Sequence, residues 1–98
     1  RLDLRVAEIE AAERVAGTDR LLKLALRVGQ EERTVVAGIA QVYQPEELVG
    51  RQVVLLANLQ PAKLRGITSQ GMILAASDGE AISLLTVDRP IASGSKIT

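Results

Sequence analysis

Residues 57–76 read ANLQPAKLRGITSQGMILAA, in which a hydrophobic strand is followed by a basic, turn-rich loop and then by a second hydrophobic strand. The loop contains Lys63 and Arg65, and no acidic residue occurs between Glu47 and Asp78. Over the whole chain, 12 Lys and Arg balance 12 Asp and Glu, so the net charge is zero. An acid-free basic loop in a neutral chain produces a local positive field, which favours binding of phosphate groups.

The clearest strand pattern lies upstream of this loop. Four aliphatic residues alternate with polar or small residues, which predicts a strand with one face in the core: Leu22, Leu24, Leu26 and Val28. The first strand alternates from Leu2 to Val6, but the next apolar position, Ile9, breaks the period of two. We therefore predict a β-bulge near Ala7 and Glu8, which would let this strand bend.

The remaining elements are predicted from shorter signals. A β-branched run and three apolar runs indicate further strands at residues 33–37, 52–57, 71–77 and 82–87. Between the third and fourth strands, Pro45 at a first helical position, two acids and Gly50 at the end indicate a short helix. The expected core is aliphatic and contains Val6, Leu24, Leu26, Val36, Val54, Leu56 and Ile73.

Five strands with a helix between the third and fourth predict an all-β OB-fold. We expect a five-stranded Greek-key barrel with a C-terminal extension, in one domain that covers residues 1–98. OB-folds bind ligands with the loops that join strands one to two and four to five. Here these loops are residues 16–20 and 58–70, and they should lie on the same side of the barrel.

Composition excludes several classes of chemistry. The chain has no His and no Cys, which excludes a Ser-His-Asp triad and a zinc site. A Ser69–Lys63 pair lacks an oxyanion-hole signature, and the paired acids at residues 31–32 and 46–47 lack the spacing of a calcium loop. We therefore expect no catalytic residue, no metal and no cofactor.

Cellular context follows from the same composition. Lack of cysteine, of a signal peptide and of a long apolar run predicts a cytoplasmic protein that has no membrane contact. The chain begins with Arg1 and not with Met, which indicates a piece of a longer protein or a start that lies outside this sequence.

Nine residues of the stretch 57–76 form the spaced pattern NLxPxKxRGxxSxGM: Asn58, Leu59, Pro61, Lys63, Arg65, Gly66, Ser69, Gly71 and Met72. This pattern resembles the signature of the tRNA-binding domain at the C-terminus of bacterial methionyl-tRNA synthetases, which also occurs as free-standing tRNA-binding proteins. Five further blocks match in order: LDLRV, DRLLKL, VAGIA, YxPEELVG and PIASGSKI. The resemblance implies a non-catalytic domain that binds tRNA, forms a homodimer and is linked to or associated with a synthetase catalytic domain.

Three basic residues are candidates for phosphate contacts. Lys63 and Arg65 belong to the matched pattern and lie in the predicted ligand loop, although two exposed cations can also serve only solubility. Lys23 lies on the non-core face of the second strand, where it would extend the binding surface or would be an ordinary solvated residue.

Three further residues are candidates for RNA contacts of other kinds. Asn58 and Ser69 would hydrogen-bond base edges or 2′-hydroxyls, or would brace the long loop with the same groups. Met72 would contact a base or would pack in the core. Tyr43 is the only aromatic residue, so stacking on several bases is excluded, and we expect recognition of the shape of a folded RNA.

Other functions remain open at this point. A free-standing, chaperone-like or signalling OB protein would have an exposed apolar groove in place of a basic surface. A purely structural dimerisation module would not bind tRNA. An oligosaccharide-binding OB domain normally has more aromatic residues than Tyr43 alone.

Overall fold

The computed structural model describes all 98 residues, and its main feature is a curled antiparallel sheet with the strand order β3-β2-β1-β4-β7. The elements are β1 Leu4–Arg14, β2 Leu22–Val28, β3 Glu31–Ala37, α1 Pro45–Leu48, β4 Gln52–Leu56, β5 Ala62–Leu64, β6 Ile67–Ser69, β7 Met72–Ile73, β8 Ala75–Ser77 and β9 Ile82–Leu84. Strands β5–β6 and β8–β9 form two separate hairpins. The structure confirms an all-β OB-type half-barrel with one short helix between β3 and β4. No helix has the length and apolar character needed to cross a membrane.

The open edge of the sheet is covered by the segment that follows β5. The backbone N–H of Gln70 donates to the carbonyl of Thr34 at 2.7 Å, and Oε1 of Gln70 accepts from the N–H of Thr34 at 2.9 Å. Oγ of Ser69 accepts from the N–H of Val36 at 2.9 Å. The β5–β6 hairpin therefore lies along β3, where it satisfies edge groups that would otherwise face solvent.

The core is aliphatic, as expected, but its register differs in part from the prediction. Thirteen buried residues form one cluster: Ala7, Ile9, Leu22, Leu24, Leu26, Val28, Val35, Ile39, Ala40, Leu48, Val53, Leu55 and Ile73. The assignments of Leu24, Leu26 and Ile73 are confirmed. Those of Val36 and Leu56 are wrong, because both are only partly buried and their neighbours Val35 and Leu55 face the core.

Two predicted core residues are buried on the opposite face of the sheet. Val6 pairs with Val54, and both are buried, yet neither belongs to the central cluster. The C-terminal segment lies beside Val6, whose carbonyl accepts from the N–H of Gly94 at 2.7 Å and whose N–H donates to Ser95 at 2.8 Å. Val6 is therefore buried outside the barrel interior, on a part of β1 whose backbone is bonded to the C-terminal segment.

The irregularity in β1 lies two residues later than predicted. Ala7 and Ile9 keep the core-facing phase, and the register with β2 shifts between Ile9 and Ala11. Glu10 is the extra residue, and its side chain points to solvent, where it binds Arg27. The predicted position near Ala7 and Glu8 is wrong because the prediction assumed that Val6 faces the barrel interior. Ala7 faces it instead, so Ala7 and Ile9 already follow the period of two.

The predicted fifth strand is divided into two short strands. Its first part, β7, pairs with β4 through Leu55 and Leu56, whereas β8 turns away and pairs with β9. The C-terminal segment takes the place of β8 at the edge of β4, since the hydroxyl of Thr86 donates to the carbonyl of Gln52 at 2.7 Å.

In the β8–β9 turn, N–H groups of Ala81 and Glu80 donate to Asp78 and lower the pKa of its carboxyl.

Two glycines meet where the C-terminal segment crosses the β2–β3 turn. A Cβ atom on Gly94 would lie 2.8 Å from the Cα of Gly29 and 2.9 Å from its nitrogen. Gly94 also has a φ of 89°, which side chains rarely adopt. The close approach lets the C-terminal segment reach the first half of β1.

We predict that Gly94→Ala destabilises the protein more than Gly79→Ala. Both glycines have positive φ, at 89° and 95°, but a Cβ on Gly79 would meet no atom within 4 Å. The control therefore has the backbone strain, about 1–2 kcal/mol, without the clash. The clash should add about 1–3 kcal/mol, a further loss of several degrees in the thermal midpoint for a domain of this size. Equal midpoints for the two variants would contradict the close packing of Gly29 and Gly94.

Candidate nucleic-acid interface

The loop between β4 and β7 contains a regular hairpin, which sequence patterns did not reveal. Strands β5 and β6 pair from Ala62–Ser69 to Leu64–Ile67, and residues 62–69 are called the basic hairpin below. Its two-residue turn is Arg65–Gly66, with φ values of 53° and 81°. Two positive φ values are typical of the type I′ turns whose twist suits β-hairpins.

Arg65 is the only non-glycine residue with a positive φ. A left-handed conformation costs a non-glycine residue about 1–2 kcal/mol, and Asn or Gly is the usual occupant of this turn position. The side chain is exposed at the tip of the basic hairpin. A strained, exposed arginine at a loop tip suggests a functional role for its guanidinium.

The tip of the basic hairpin lies beside the loop that joins β1 to β2. A Cβ atom on Gly17 would lie 3.8 Å from Nη1 of Arg65. The prediction that residues 16–20 and 58–70 lie on the same side of the barrel is therefore confirmed. Arg20 belongs to the first of these loops, is exposed and makes no ion pair in the structure. Sequence reasoning missed this residue, although its position in a predicted ligand loop is a signal for it.

Ion pairing divides the twelve basic residues into two groups. Six are paired with carboxylates within 4 Å: Arg5, Lys23, Arg27, Arg33, Arg51 and Arg89. Lys63 and Arg65 belong to the other six and are exposed. With Arg20, they give the two adjoining loops three cations that have no carboxylate within 4 Å. Such cations are available for phosphate groups.

The outer face of β2 differs from these loops because its cations are compensated. Nζ of Lys23 lies 3.6 Å from Oε2 of Glu13, and β3 separates Lys23 from the basic hairpin. Arg27 binds Glu10 at 2.8 Å and Glu32 at 2.6 Å. The hydrogen bond to Glu10 raises the pKa of the Arg27 guanidinium above its ordinary value. The structure therefore gives Lys23 a partner that a phosphate would have to displace.

Asn58 and Ser69 are both engaged in contacts within the protein. Ser69 is 5% exposed, and its hydroxyl donates to the carbonyl of Gly71 while it accepts from Val36. Oδ1 of Asn58 accepts from the N–H of Asp3, and its Nδ2 donates to the carbonyl of residue 1. These side chains brace the two ends of the basic loop, which is one of the two roles that their chemistry allowed.

Met72 lies at the surface rather than in the core. Its side chain is 53% exposed, and it pairs with Leu56 at the end of β4. Leu59 and Leu64, from the same loop, are also exposed large apolar residues. The loop therefore combines uncompensated cations with apolar contact area. No group of His, Cys, Asp or Glu residues is arranged to hold a metal ion.

Comparison with known proteins identifies the family of this chain. The family model described as "Putative tRNA binding domain" matches residues 4–96. The chain belongs to the tRNA-binding domain family. This family is a binding domain and not a catalytic one, in agreement with the expectation from the sequence. The recognised pattern NLxPxKxRGxxSxGM thus identified the family correctly.

Relatives of this tRNA-binding domain occur in long and in short proteins. The chain is 54% identical over 98 residues to a methionine–tRNA ligase of Caldanaerobacter subterraneus. The match covers all of this chain and 15% of that protein. A crystal structure of a protein related to methionyl-tRNA synthetase from Pyrococcus horikoshii superposes with a TM-score of 0.93 at 35% identity, covering 99% of this chain and 90% of that one. The chaperone CsaA from Bacillus anthracis superposes with a TM-score of 0.91 at 27% identity, with coverage of 99% and 90%.

We predict that Arg65→Asn keeps or raises the thermal stability of the tRNA-binding domain, whereas Arg65→Val lowers it. Asn tolerates the left-handed conformation and precedes Gly in the preferred type I′ turn, while a β-branched residue at positive φ is a strong outlier. The two variants should differ by at least about 1 kcal/mol, or roughly 4–8 °C in midpoint. Equal loss in both would mean that the arginine side chain itself stabilises the turn.

Proposed function

We propose that this domain holds tRNA for the catalytic part of a methionyl-tRNA synthetase and has no chemistry of its own. The single observation that supports this assignment is the 54% identity, over the whole chain, to a methionine–tRNA ligase. The chain spans only 15% of that ligase, so the activity of a complete protein is part of the proposal. A linked binding domain raises the effective concentration of tRNA near the active site, so modest affinity is sufficient. Its place of action is the cytoplasm.

In this proposal, phosphate groups bind between the two adjoining loops. Lys63 and Arg65 supply positive charge from the basic hairpin, and Arg20 supplies it from residues 16–20. Met72 gives apolar contact to a sugar or base. Asn58 and Ser69 act through the shape of the loop that they brace, and Lys23 extends the surface only if RNA displaces Glu13.

The proposed ligand is a folded RNA rather than a single strand. Tyr43, the one aromatic residue, is not free for stacking, because Arg51 lies 5.9 Å from its ring centre and its hydroxyl accepts from the N–H of Leu84. Proteins that bind single strands rely on aromatic stacking, at about 1–3 kcal/mol per base. Phosphates and 2′-hydroxyls held in the geometry of folded RNA remain as the recognised groups.

We expect the double variant Lys63→Ala, Arg65→Ala to bind total tRNA more weakly and with a flatter dependence on salt. Each lost phosphate contact should reduce the slope of log K against log salt by about one unit. The measurement is a fluorescence titration at several salt concentrations, with unstructured RNA of equal length as the comparison ligand.

A matched control removes two exposed cations from the C-terminal segment, as Arg89→Ala with Lys96→Ala. It changes net charge by the same amount without touching either loop. If both double variants lose affinity and slope equally, the effect is one of net charge, and the proposed site is wrong.

The proposal includes a homodimer, since the C-terminal segment presents apolar side chains to solvent. In this segment Leu85 is 38% exposed and Ile91 is 51% exposed. Val49, which follows α1, is 52% exposed. Part of this segment already covers its own barrel, as β9 pairs with β8 and Thr86 binds Gln52. A second copy would bury the apolar area that remains, as closed symmetric dimers commonly do.

Light scattering at micromolar concentration should give twice the chain mass of 10.5 kDa. Leu85→Asp together with Ile91→Asp should lower the mass to that of one chain, because two buried charges would be unpaired at the interface. A mass of 10.5 kDa for the unmodified chain would count against the dimer.

A free-standing, chaperone-like dimeric OB protein is the second candidate. The likeness to the CsaA structure and the exposed Leu59, Leu64 and Met72 support it. The two candidates differ in ligand: an unfolded polypeptide should compete with tRNA only if the chaperone-like function is correct.

A further inference from the structure

Arg33 has an unusual position in β3, because it shares a face with core residues. It pairs with Leu26 in the neighbouring strand, and the next residues on the same face are the buried Val35 and the partly buried Ala37. The alternation of the strand would favour an aliphatic residue here. A guanidinium at the margin of a core needs hydrogen-bond partners to offset desolvation, and these partners lie at the basic loop.

The guanidinium of Arg33 connects both ends of the basic loop to the barrel. Its Nη1 donates to the carbonyl of Ala57 at 2.6 Å and to the carbonyl of Gln70 at 3.2 Å. Ala57 follows β4 and Gln70 precedes β7, so one nitrogen spans the two points where residues 58–69 leave and rejoin the sheet. On the other side, Nε donates to Glu31 at 3.1 Å.

We propose that Arg33 is a positioning residue for RNA binding, which fixes the orientation of the basic hairpin without contacting RNA. The proposal rests on the function proposed above. The donors of Arg33 are used within the protein, and its side chain is only 20% exposed, so few of its groups are left for a phosphate.

The distance between anchor and tip explains the expected effect. Arg65 lies five positions before Gln70, and five steps of about 3.3 Å give a length of roughly 17 Å. A small rotation at the root of the basic hairpin therefore moves Arg65 by several ångströms relative to Gly17 and Arg20. Ser69 and Gln70 still bind β3 when Arg33 is replaced, so the barrel keeps its fold while the hairpin becomes less fixed.

The test compares Arg33→Met with Arg27→Met in the 98-residue chain. Arg27 lies on the adjacent strand, pairs with two carboxylates and is not bonded to the basic loop, so this control removes the same charge. Loss of the charge-assisted hydrogen bonds should speed amide hydrogen exchange in residues 62–69 by about tenfold in Arg33→Met only. Affinity for total tRNA should fall by about tenfold while the salt slope stays within half a unit of the unmodified chain. Arg27→Met should change neither measurement by more than about twofold.

Arg33→Lys gives a second, charge-preserving test. A lysine keeps the positive charge but lacks the planar fork that spans two carbonyls. A positioning role predicts weakened tRNA binding and faster exchange in residues 62–69 here as well. Faster exchange throughout β1 and β2 in Arg33→Met would mean that this substitution disturbs the whole barrel. In that case Arg33→Lys decides the result.

Two results would overturn the proposal. Unchanged exchange and affinity in both Arg33 variants would show that other contacts fix the hairpin. A salt slope lower by about one unit in Arg33→Met, with near-normal binding in Arg33→Lys, would make Arg33 a direct phosphate ligand. If the unmodified chain fails to bind tRNA, the proposed function is wrong, whereas hydrogen exchange still tests the anchoring by Arg33.

Discussion

The attachment of the basic hairpin to the edge of β3 is the contact on which the proposed interface depends. Through Ser69 and Gln70, β3 gains partners for its exposed backbone groups, and the hairpin is attached to the sheet. Because β5 and β6 have only three residues each, they could not form a stable unit alone. The same contact therefore closes the half-barrel and brings Arg65 beside Gly17 of the first loop.

Sequence predicts a strand face well where alternation is strict and poorly where apolar residues are consecutive. In β2, Leu22 to Val28 have only one inward phase, and every assignment there is correct. In β4, Val53 to Leu56 are all apolar, so either phase satisfies the pattern and burial of Val53 and Leu55 is decided by tertiary packing. The β5–β6 hairpin was missed for a different reason: its strands are short and largely exposed, so no hydrophobic period marks them.

The candidate loop could be located from sequence more readily than roles could be assigned to its residues. A charge map needs only residue types and order, and the acid-free stretch around Lys63 and Arg65 correctly identified an uncompensated loop. Asn58 and Ser69 offer the same donors and acceptors to RNA and to backbone, so their bracing contacts follow only from coordinates. Arg33 gave a weak signal, as a cation in an apolar alternation, whose meaning depends on chain segments 24 and 37 residues away.

Neutral net charge and a specific binding surface are compatible because pairing, rather than composition, sets the local field. Carboxylates compensate cations on β2, on β3 and just before β4, whereas the two adjoining loops keep Arg20, Lys63 and Arg65 without carboxylate partners within 4 Å. A uniformly basic domain would attract any polyanion and lose selectivity for shape. In the proposed site, one of the two loops is braced at its root and strained at its tip, so affinity would depend on whether phosphates match a fixed spacing. Folded RNA has such a spacing, while a flexible strand must lose conformational entropy to adopt it.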